Sequence, residues 1–471
     1  MMALTLAQLA AAVDGALIAP DDAALADPTH TVDGPVETDS RLVVPGALFF
    51  AMRGENTNGG LFAEAAVANG AVLVFTEERL ALPVPQIVVA DTLYALAALA
   101  RAVVAEVRAA GTLRVVGITG SNGKTTTKNM LRAILSAQGP TVAPQGSYNN
   151  QVGAPYTMLR IDEKTRFLVV EMGASGIGDI ARLIGIVVPD ISVVLKVGLA
   201  HAGEFGGIEA TQRAKSEIVT QLPADAVAVL NRDDERVAAM AVLTAARPVW
   251  FGLDPEADLS ADDLRATSAG TSFTLLVDGL RLPVNLRILG EHHVMNALAA
   301  LAVARELGVD ITEAISALEG VERAERWRME ILTRADGVTV INDAYNASPD
   351  SMAAALKTLA QIIEPGQRSV AILGEMNNLG DYADDEHDRI GRLAVRLNVQ
   401  QLIVVGHRAR HIHNAAGLEG SWDGESVLVE TADEAYDLVN SRLRAGDVVL
   451  VKSSNAAGLR FLGDRLGEVQ A

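Results

Sequence analysis

The chain has 471 residues, too many for one compact core; at roughly 100–200 residues per domain, two to four domains are expected. Its 39 basic and 59 acidic residues give a net charge of −20, which excludes nucleic acid from the expected partners. There is no cysteine, so disulfides, thiolate metal sites and a cysteine nucleophile are excluded.

The N-terminal residues, MMALTLAQLAAAVDG, lack the basic region and the small-residue cleavage site of a secretion signal. The most apolar helical stretch, over 93–107, contains Arg101 and Glu106, which argues against a membrane span. The absence of cysteine suits a reducing compartment. We therefore expect a soluble cytoplasmic protein without membrane insertion, and we expect it to be a monomer.

Residues 40–75 contain the apolar run LFFAM, a Gly- and Asn-rich loop, the segment FAEAAVANG with helical spacing, and a second apolar run, AVLVF. This order predicts a strand, a loop, a helix and a strand. Pro83 and Pro85 end the region, and Asp91 is a candidate N-cap for the next helix.

From about residue 111, apolar runs alternate regularly with helical patterns. The candidate strands are LRVVGIT, FLVVEMG, ISVVLKVG and AVAVLN. Their continuous hydrophobicity is typical of a parallel sheet that is covered on both faces. Residues 263–289 interrupt this pattern around Asp278 and Gly279 and predict a hairpin, and helices are predicted over 294–307 and 311–318.

A third section starts near Trp327. Its apolar runs, WRMEIL, VTVIND, SVAILGEM, QLIVVG, SVLVE and DVVLVKS, alternate with helical patterns such as SPDSMAAALKTLAQI. This alternation predicts a second doubly wound sheet. The expected fold class is therefore α/β, with three domains over 1–90, 91–325 and 326–471.

The strongest local signal is the segment VVGITGSNGKTTTKNMLRAIL, in which an apolar strand enters a Gly-rich turn that opens a helix. The backbone N–H groups of such a turn form an anion cradle, in which Lys124 would contact phosphates and Thr125 would bind Mg²⁺. The strict P-loop pattern is not met, because Ile118 stands where that pattern has glycine. The loop alone leaves a ligase, a transporter motor, a kinase and a GTPase open, although a guanine-specifying NKxD signature is absent.

Two further polar residues follow neighbouring apolar runs. Glu171 comes directly after FLVV, and His201 follows ISVVLKVGLA. Ligands of open α/β sheets collect at the carboxyl ends of the strands, so Glu171 is well placed to hold Mg²⁺. Histidine is an unusual Mg²⁺ ligand, which leaves a structural or water-binding role open for His201. By its residue type alone, Lys215 on the helix EATQRAKSEIVTQL would be a solvated side chain.

TGSNGKTT and the ordered segments around it resemble the Mur ligases. The other supporting segments are TDSRLVVPGALFFAMRG, SYNNQVGAPYTML, EMGASGIGDI, GEHHVMNALAALAVARELG, INDAYNASPDSM and LVKSSNAAGLRF. The resemblance is greatest to the family member that adds D-alanyl-D-alanine. It implies an N-terminal α/β uridine-binding domain, a central P-loop ATP-binding domain with a parallel sheet, and a C-terminal Rossmann-like domain.

The resemblance also implies the site residues, with Asn296 at the adenine, Asp343 at the ribose and Arg328 at the phosphates. The implied ATP-binding set is Thr119, Gly120, Ser121, Asn122, Gly123, Lys124, Thr125, Thr126, Asn296, Arg328 and Asp343. The implied ligands of two Mg²⁺ ions are Thr125, Glu171, His201 and a CO₂-derived carbamate on Lys215. The implied catalytic residues are Lys124, Glu171, His201 and Lys215. The implied substrate-binding residues are Ser40, Arg41, Asn149, Asn150, Tyr345, Asn346, Ser348, Lys452 and Ser453.

The implied activity uses ATP to join D-Ala-D-Ala to UDP-N-acetylmuramoyl-tripeptide in peptidoglycan synthesis, so both expected partners are small molecules. The chain departs from the family at His293 and Asn455, where Asn and Arg are usual. A rival is the diaminopimelate- or lysine-adding ligase, whose DNPR motif is absent here. Folylpolyglutamate synthase lacks the uridine-binding domain, and a regulatory ATP-binding module without ligase activity stays open.

Overall fold

The first of three main sheets lies in the N-terminal part of the chain. The computed structural model describes residues 1–20, 27–54, 57–200, 202–323, 325–419 and 422–468. The elements of this part are β1 (Leu4–Thr5), α1 (Leu6–Ala12), β2 (Ala16–Ile18), β3 (Thr31–Val32), β4 (Val36–Glu37), β5 (Leu48–Phe50), α2 (Ala63–Ala68), β6 (Leu73–Thr76), β7 (Gln86–Val88) and α3 (Thr92–Ala109). The sheet order is β2-β7-β6-β5-β4. The predicted strand, helix and strand are β5, α2 and β6.

Helix α3 connects this sheet to the next one. It begins at the predicted N-cap, where the Asp91 carboxylate accepts hydrogen bonds from the backbone N–H groups of Leu93 and Tyr94. Its apolar side chains belong to one continuous core, which contains Leu48 from the first sheet and Leu168 from the second. This shared core draws on described residues from Met2 to Ala246, and α3 packs in it between two sheets.

The central sheet is parallel over most of its width. Its elements are β8 (Arg114–Thr119), α4 (Lys124–Gln138), β9 (Thr141–Val142), α5 (Gly153–Met158), β10 (Phe167–Glu171), α6 (Asp179–Ile184), β11 (Ile191–Val194), α7 (Ala202–Phe205), α8 (Ile208–Thr220), β12 (Val227–Asn231), α9 (Glu235–Ala238), β13 (Arg247–Gly252), β14 (Leu259–Thr267), β15 (Gly270–Val277), β16 (Leu280–Leu286), α10 (His292–Glu306) and α11 (Ile311–Glu319). The order is β16-β15-β14-β13-β12-β11-β8-β10-β9.

The continuous apolar runs pack on both faces of this sheet, as predicted. Val115 and Leu168 belong to the core on one face, and Val116 and Val169 belong to the core on the other. The predicted hairpin is β15 and β16, which β14 extends to three antiparallel strands. Strand β13 was not predicted, because its sequence, RPVWFG, starts with an exposed arginine and a proline.

The C-terminal sheet has five parallel strands and one antiparallel edge strand. Its elements are β17 (Glu330–Thr333), β18 (Thr339–Asn342), α12 (Pro349–Ile362), β19 (Ser369–Leu373), α13 (Ala383–Arg396), β20 (Gln401–Val405), α14 (Arg410–Leu418), β21 (Glu425–Val429), α15 (Ala432–Asn440), β22 (Val448–Lys452) and α16 (Leu459–Leu466). The order is β17-β18-β22-β19-β20-β21. Leu450 packs in the core on one face and Val449 in the core on the other, which confirms the predicted doubly wound sheet.

The segment WRMEIL is a strand only from Glu330 onward. Trp327 and Met329 have left-handed φ angles of 59° and 48°, which end any extended structure before Glu330. Carboxylates hold this turn, because Glu330 accepts from the Trp327 N–H at 2.9 Å and Asp343 accepts from the Met329 N–H at 3.0 Å. The prediction that this strand starts at Trp327 was therefore wrong.

The domain boundaries at residues 90 and 325 stay a proposal. They fall between β7 and α3 and between α11 and β17, which are segments outside all three sheets. Among the helices in the described ranges, none combines the length and the apolar character that crossing a lipid bilayer requires.

Helices α13 and α14 make a close crossing that predicts opposite effects for two Gly→Ala substitutions. A Cβ on Gly391 would overlap the backbone carbonyl of Ile412, whereas a Cβ on Gly417 would meet nothing within 4 Å. We expect Gly391→Ala to destabilise the fold by about 1–3 kcal/mol. Gly417→Ala should stabilise it by about 0.5–1 kcal/mol, because the unfolded chain loses conformational freedom. Calorimetric unfolding of both variants checks this, and equal shifts would contradict the packing of the crossing.

Candidate active site

The Gly-rich loop lies between β8 and α4, as predicted. Gly120 and Gly123 have φ angles of +153° and +88°, which residues with a side chain rarely adopt. Lys124 is the first residue of α4, and its Nζ donates to the carbonyl oxygen of Gly120 at 2.8 Å. Burial lowers the pKa of Lys124, although the nearby Glu171 carboxylate opposes this effect. The loop therefore places one lysine at the N-terminal end of a 15-residue helix, which favours anions.

Glu171, at the end of the neighbouring strand β10, faces the same helix start. The Thr125 hydroxyl donates to Glu171 Oε2 at 3.1 Å and lies 3.0 Å from the Ser147 hydroxyl. Asn149 Nδ2 donates to Glu171 Oε1 at 2.7 Å, and Glu171 is fully buried. A carboxylate with two hydroxyl oxygens suits a hard cation such as Mg²⁺.

His201, the third expected ligand, lies outside the described residues, so its place in the site stays a prediction. Within the described ranges, no three histidine, aspartate or glutamate side chains converge on one point. The oxygen donors that the structure does bring together are those of Thr125, Ser147 and Glu171.

Lys215 is buried on α8 and faces a cavity of about 400 Å³. Burial and, to a smaller extent, the nearby Lys124 ammonium lower its pKa to about 7. Its Nζ lies 5.7 Å from the centre of the Phe205 ring, and it forms no hydrogen bond with any described residue. The side chain is therefore not the solvated lysine that its residue type alone suggests. The wall beside it contains Asn149 and Asn150, and Asn150 Oδ1 also accepts a hydrogen bond from the Gly153 N–H at 2.8 Å.

A second cavity of about 190 Å³ lies between the loop and the C-terminal sheet. Arg328 stacks on the Tyr345 ring with 4.5 Å between its Cζ and the ring centre. Its buried Nε has no hydrogen-bond acceptor among the described residues. Lys452 Nζ donates to the Asp343 carboxylate at 2.6 Å and to the Asn346 carbonyl at 3.0 Å. Burial lowers the pKa of Lys452.

The opposite wall of this second cavity comes from helix α10. Asn296 Oδ1 accepts from the Thr127 hydroxyl at 3.3 Å and lies so close to Gly123 that a Cβ there would overlap it. Asn296 Nδ2 lies 3.1 Å from His293 Nδ1. His293 Nε2 is buried and has no partner in the part of the chain that the structure describes, and the same is true of Asn122 Nδ2.

The two cavities meet at the Gly-rich loop. Both are lined by Ser121, Lys124 and Asn149. One cavity continues towards Lys215, and the other continues towards Arg328 and Asn296. Two ligands could therefore meet at the ammonium group of Lys124.

The start of helix α12, in the C-terminal part of the chain, contacts the loop directly. Ser348 caps α12 and donates through its hydroxyl to Asn122 Oδ1 at 3.0 Å. Lys196, which follows β11, forms an ion pair with Asp350 at 3.1 Å. Ser348, expected to bind substrate, thus has a structural partner 226 residues away in the sequence.

Several expected site residues lie outside the two cavities. Arg41 is 86% exposed and pairs with Asp39 at 2.6 Å, beside Ser40. Ser453 is fully buried, and its hydroxyl donates to the Ser454 carbonyl at 3.0 Å. The Thr119 hydroxyl donates to the Met172 carbonyl at 2.8 Å. Their roles in binding stay predictions.

Lys128 is a site residue that the sequence analysis missed. It lies one turn after Lys124 on α4 and is 1% exposed. Its Nζ donates at 2.9 Å to the carbonyl oxygens of both Pro144 and Gly146, the residues just before Ser147. No local pattern distinguishes Lys128 from an exposed helical lysine, because its acceptors lie in a distant loop. Lys128 thus anchors the loop that places Ser147 and Asn149 near Glu171.

We expect Lys128→Met to loosen this loop. Removing the ammonium group leaves two backbone carbonyls without a donor, which should lower the free energy of unfolding by about 1–3 kcal/mol. Hydrogen exchange of residues 144–149 should accelerate more than exchange elsewhere. Arg132→Met, on the exposed side of the same helix, is the matched control and should change stability by less than about 0.5 kcal/mol. Unchanged exchange in residues 144–149 would show that Lys128 does not anchor the loop.

Three family models match the chain in order. They are the Mur ligase family catalytic domain over residues 10–111, the Mur ligase middle domain over 118–304, and the Mur ligase glutamate ligase domain over 327–455. A relative from Mycobacterium tuberculosis, named UDP-N-acetylmuramoyl-tripeptide–D-alanyl-D-alanine ligase, is 44% identical, with 99% of this chain and 98% of the relative covered.

Solved structures agree over the full length. A crystal structure of MurF from Acinetobacter baumannii has a TM-score of 0.86 at 31% identity, with 99% of each chain covered. The MurF ligase from Thermotoga maritima, crystallised in complex with ADP, has a TM-score of 0.80 at 27% identity, with 93% of this chain and 97% of that chain covered. These similarities extend across all three sheets.

Proposed function

The chain belongs to the Mur ligase family, and we propose that it uses ATP to join D-alanyl-D-alanine to UDP-N-acetylmuramoyl-tripeptide. The observation that carries the proposal is the meeting of two cavities at Lys124. A ligase of this kind must bring the γ-phosphate of ATP to the carboxylate of its acceptor. One cavity offers the loop, Arg328 and Asn296 to the nucleotide, and the other offers Lys215 and Asn150 to the peptide.

In the first step, an oxygen of the terminal carboxylate of the tripeptide attacks the γ-phosphorus. The new oxygen–phosphorus bond forms as the bond to the β,γ-bridging oxygen breaks, which gives an acyl phosphate and ADP. Both reactants are anions, so their approach requires local positive charge. Lys124 supplies it from the loop, and Arg328, whose Nε lacks an acceptor among the described residues, supplies it from the C-terminal side.

Thr125 and Glu171 would hold two Mg²⁺ ions in this proposal, with His201 and a carbamylated Lys215 as the further proposed ligands. When bound, Mg²⁺ neutralises phosphate charge and orients the transferring group. The chain prepares the site through the hydrogen bonds of Thr125 and Asn149 to Glu171, which fix the carboxylate before any ligand arrives.

In the second step, the amine of D-Ala-D-Ala attacks the acyl carbon. The carbon–nitrogen bond forms, the carbon–oxygen bond to the phosphoryl group breaks, and the phosphate leaves with the proton that the nitrogen loses. Water would hydrolyse the acyl phosphate, so the cleft must stay dry. The contacts of Ser348 with Asn122 and of Lys196 with Asp350 cover the loop from the C-terminal side and support this role.

The remaining assignments are proposals on the same basis. Ser40 and Arg41 bind the uridine end of the acceptor, and Tyr345, Asn346, Lys452 and Ser453 belong to the segments that bound the cleft. The product is the pentapeptide precursor of peptidoglycan, which links the enzyme to cell-wall biogenesis, cell shape and cell division. We place a monomeric enzyme in the cytoplasm, where these precursors are made.

The test is phosphate release from ATP with Mg²⁺ and UDP-N-acetylmuramoyl-tripeptide, followed by weighing of the product. We expect release that depends on D-Ala-D-Ala and a product heavier by that dipeptide less water. In parallel, UDP-N-acetylmuramoyl-dipeptide is offered with diaminopimelate. Activity only in that second reaction would move the enzyme one step earlier in the pathway, and release that needs no amine would contradict a ligase.

Lys215 should form a carbamate in a pH-dependent way. Only the neutral amine attacks CO₂, and with a pKa of about 7 the side chain is about nine-tenths neutral at pH 8 and about one-tenth neutral at pH 6. We therefore expect a carbamate carbon resonance with ¹³C-bicarbonate that grows as pH rises through 7.

The matched control for this experiment is Lys215→Arg, whose guanidinium stays protonated throughout this pH range. It should lack the carbamate resonance. A signal of equal size in this variant, or equal signals at pH 6 and pH 8 in the unaltered protein, would contradict carbamylation of Lys215.

A further inference from the structure

His293 is a buried histidine that the proposed mechanism does not use. It lies on α10, is 3% exposed and lines the cavity assigned to the nucleotide. Its ring centre lies 4.1 Å from that of His292. The role of the imidazole has to follow from its contacts in this chain.

The hydrogen bond to Asn296 determines which nitrogen of His293 carries the proton. Asn296 accepts from the Thr127 hydroxyl through Oδ1, which directs its Nδ2 group towards His293. A carboxamide nitrogen only donates, so His293 Nδ1 is the acceptor at 3.1 Å. The ring proton is therefore on Nε2.

The ring is neutral, which makes Nε2–H its only N–H donor. Burial lowers the pKa of His293 well below its usual value, and His292 and Arg328 lower it further. Nε2 is buried and has no acceptor in the described ranges. An unpaired buried donor is unfavourable, and a ligand with a matching acceptor would supply the missing hydrogen bond.

We propose that the Nε2–H group of His293 donates a hydrogen bond to a ring nitrogen of the purine base, and so makes His293 a determinant of base recognition. The inference rests on the proposed binding of ATP, with Asn296 beside the base. A neutral donor matches an uncharged ring nitrogen, whereas phosphate oxygens are attracted far more strongly by Lys124 and Arg328. If the acceptor is N1, guanine is rejected, because its N1 carries a hydrogen.

The test measures binding of ADP and of its 1-deaza, 3-deaza and 7-deaza analogues to the full chain by calorimetry. Each analogue replaces one ring nitrogen by C–H and so removes one candidate acceptor. The unaltered protein should bind one analogue about tenfold more weakly than ADP. This part requires no variant, and equal affinities for ADP and all three analogues would overturn the proposal.

His293→Leu should bind ADP about tenfold more weakly and should no longer distinguish that analogue from ADP. A variant that keeps the full discrimination would overturn the proposal. The matched control is His413→Leu, on helix α14, which should keep the discrimination between ADP and that analogue. Loss of the discrimination in this control would show an indirect effect and overturn the assignment. A protein that binds no ADP would contradict the proposed function itself, which separates the two failures.

Discussion

An excess of positive charge around the Gly-rich loop is the constraint on which the rest of the site depends. The basic residues that line the two cavities are Lys124, Arg182, Lys215, Arg328 and Lys452. The acidic residues that line them are Glu171, Asp179 and Asp343. The whole chain has a net charge of −20, so the excess of basic residues around the loop is opposite in sign to the charge of the chain. Burying cations without matching anions is unfavourable, and anionic ligands supply the missing charge. Burial lowers the pKa of Lys215, and the neighbouring Lys124 ammonium group adds a smaller effect in the same direction.

Much of this arrangement follows from local sequence. Strand β8, the loop and α4 are adjacent in the chain, so the composition of one short segment predicts their geometry. Glu171 could be placed because strand ends of a parallel sheet share one edge. The two doubly wound sheets followed from continuous apolar runs, and both faces of each sheet are covered.

The remainder depends on contacts between residues that are distant in the sequence. Asp343 holds the turn at Met329, and Ser348 contacts Asn122 across 226 positions, so no local pattern reports either contact. The sequence does not distinguish Lys128 from an exposed helical lysine, because its two carbonyl acceptors lie in a loop whose path only the folded structure defines. The protonated nitrogen of His293 likewise depends on Asn296 and Thr127.

The position of Lys124 between two cavities has a thermodynamic consequence. In the proposed complex one ammonium group contributes to the affinity for both ligands, so binding at one cavity changes the free energy of binding at the other. Linkage requires this effect to be reciprocal, whichever ligand arrives first. Because both ligands are anionic, each weakens the attraction left for the other. The ternary complex thus contains an antagonistic coupling between its own substrates, which other contacts must outweigh.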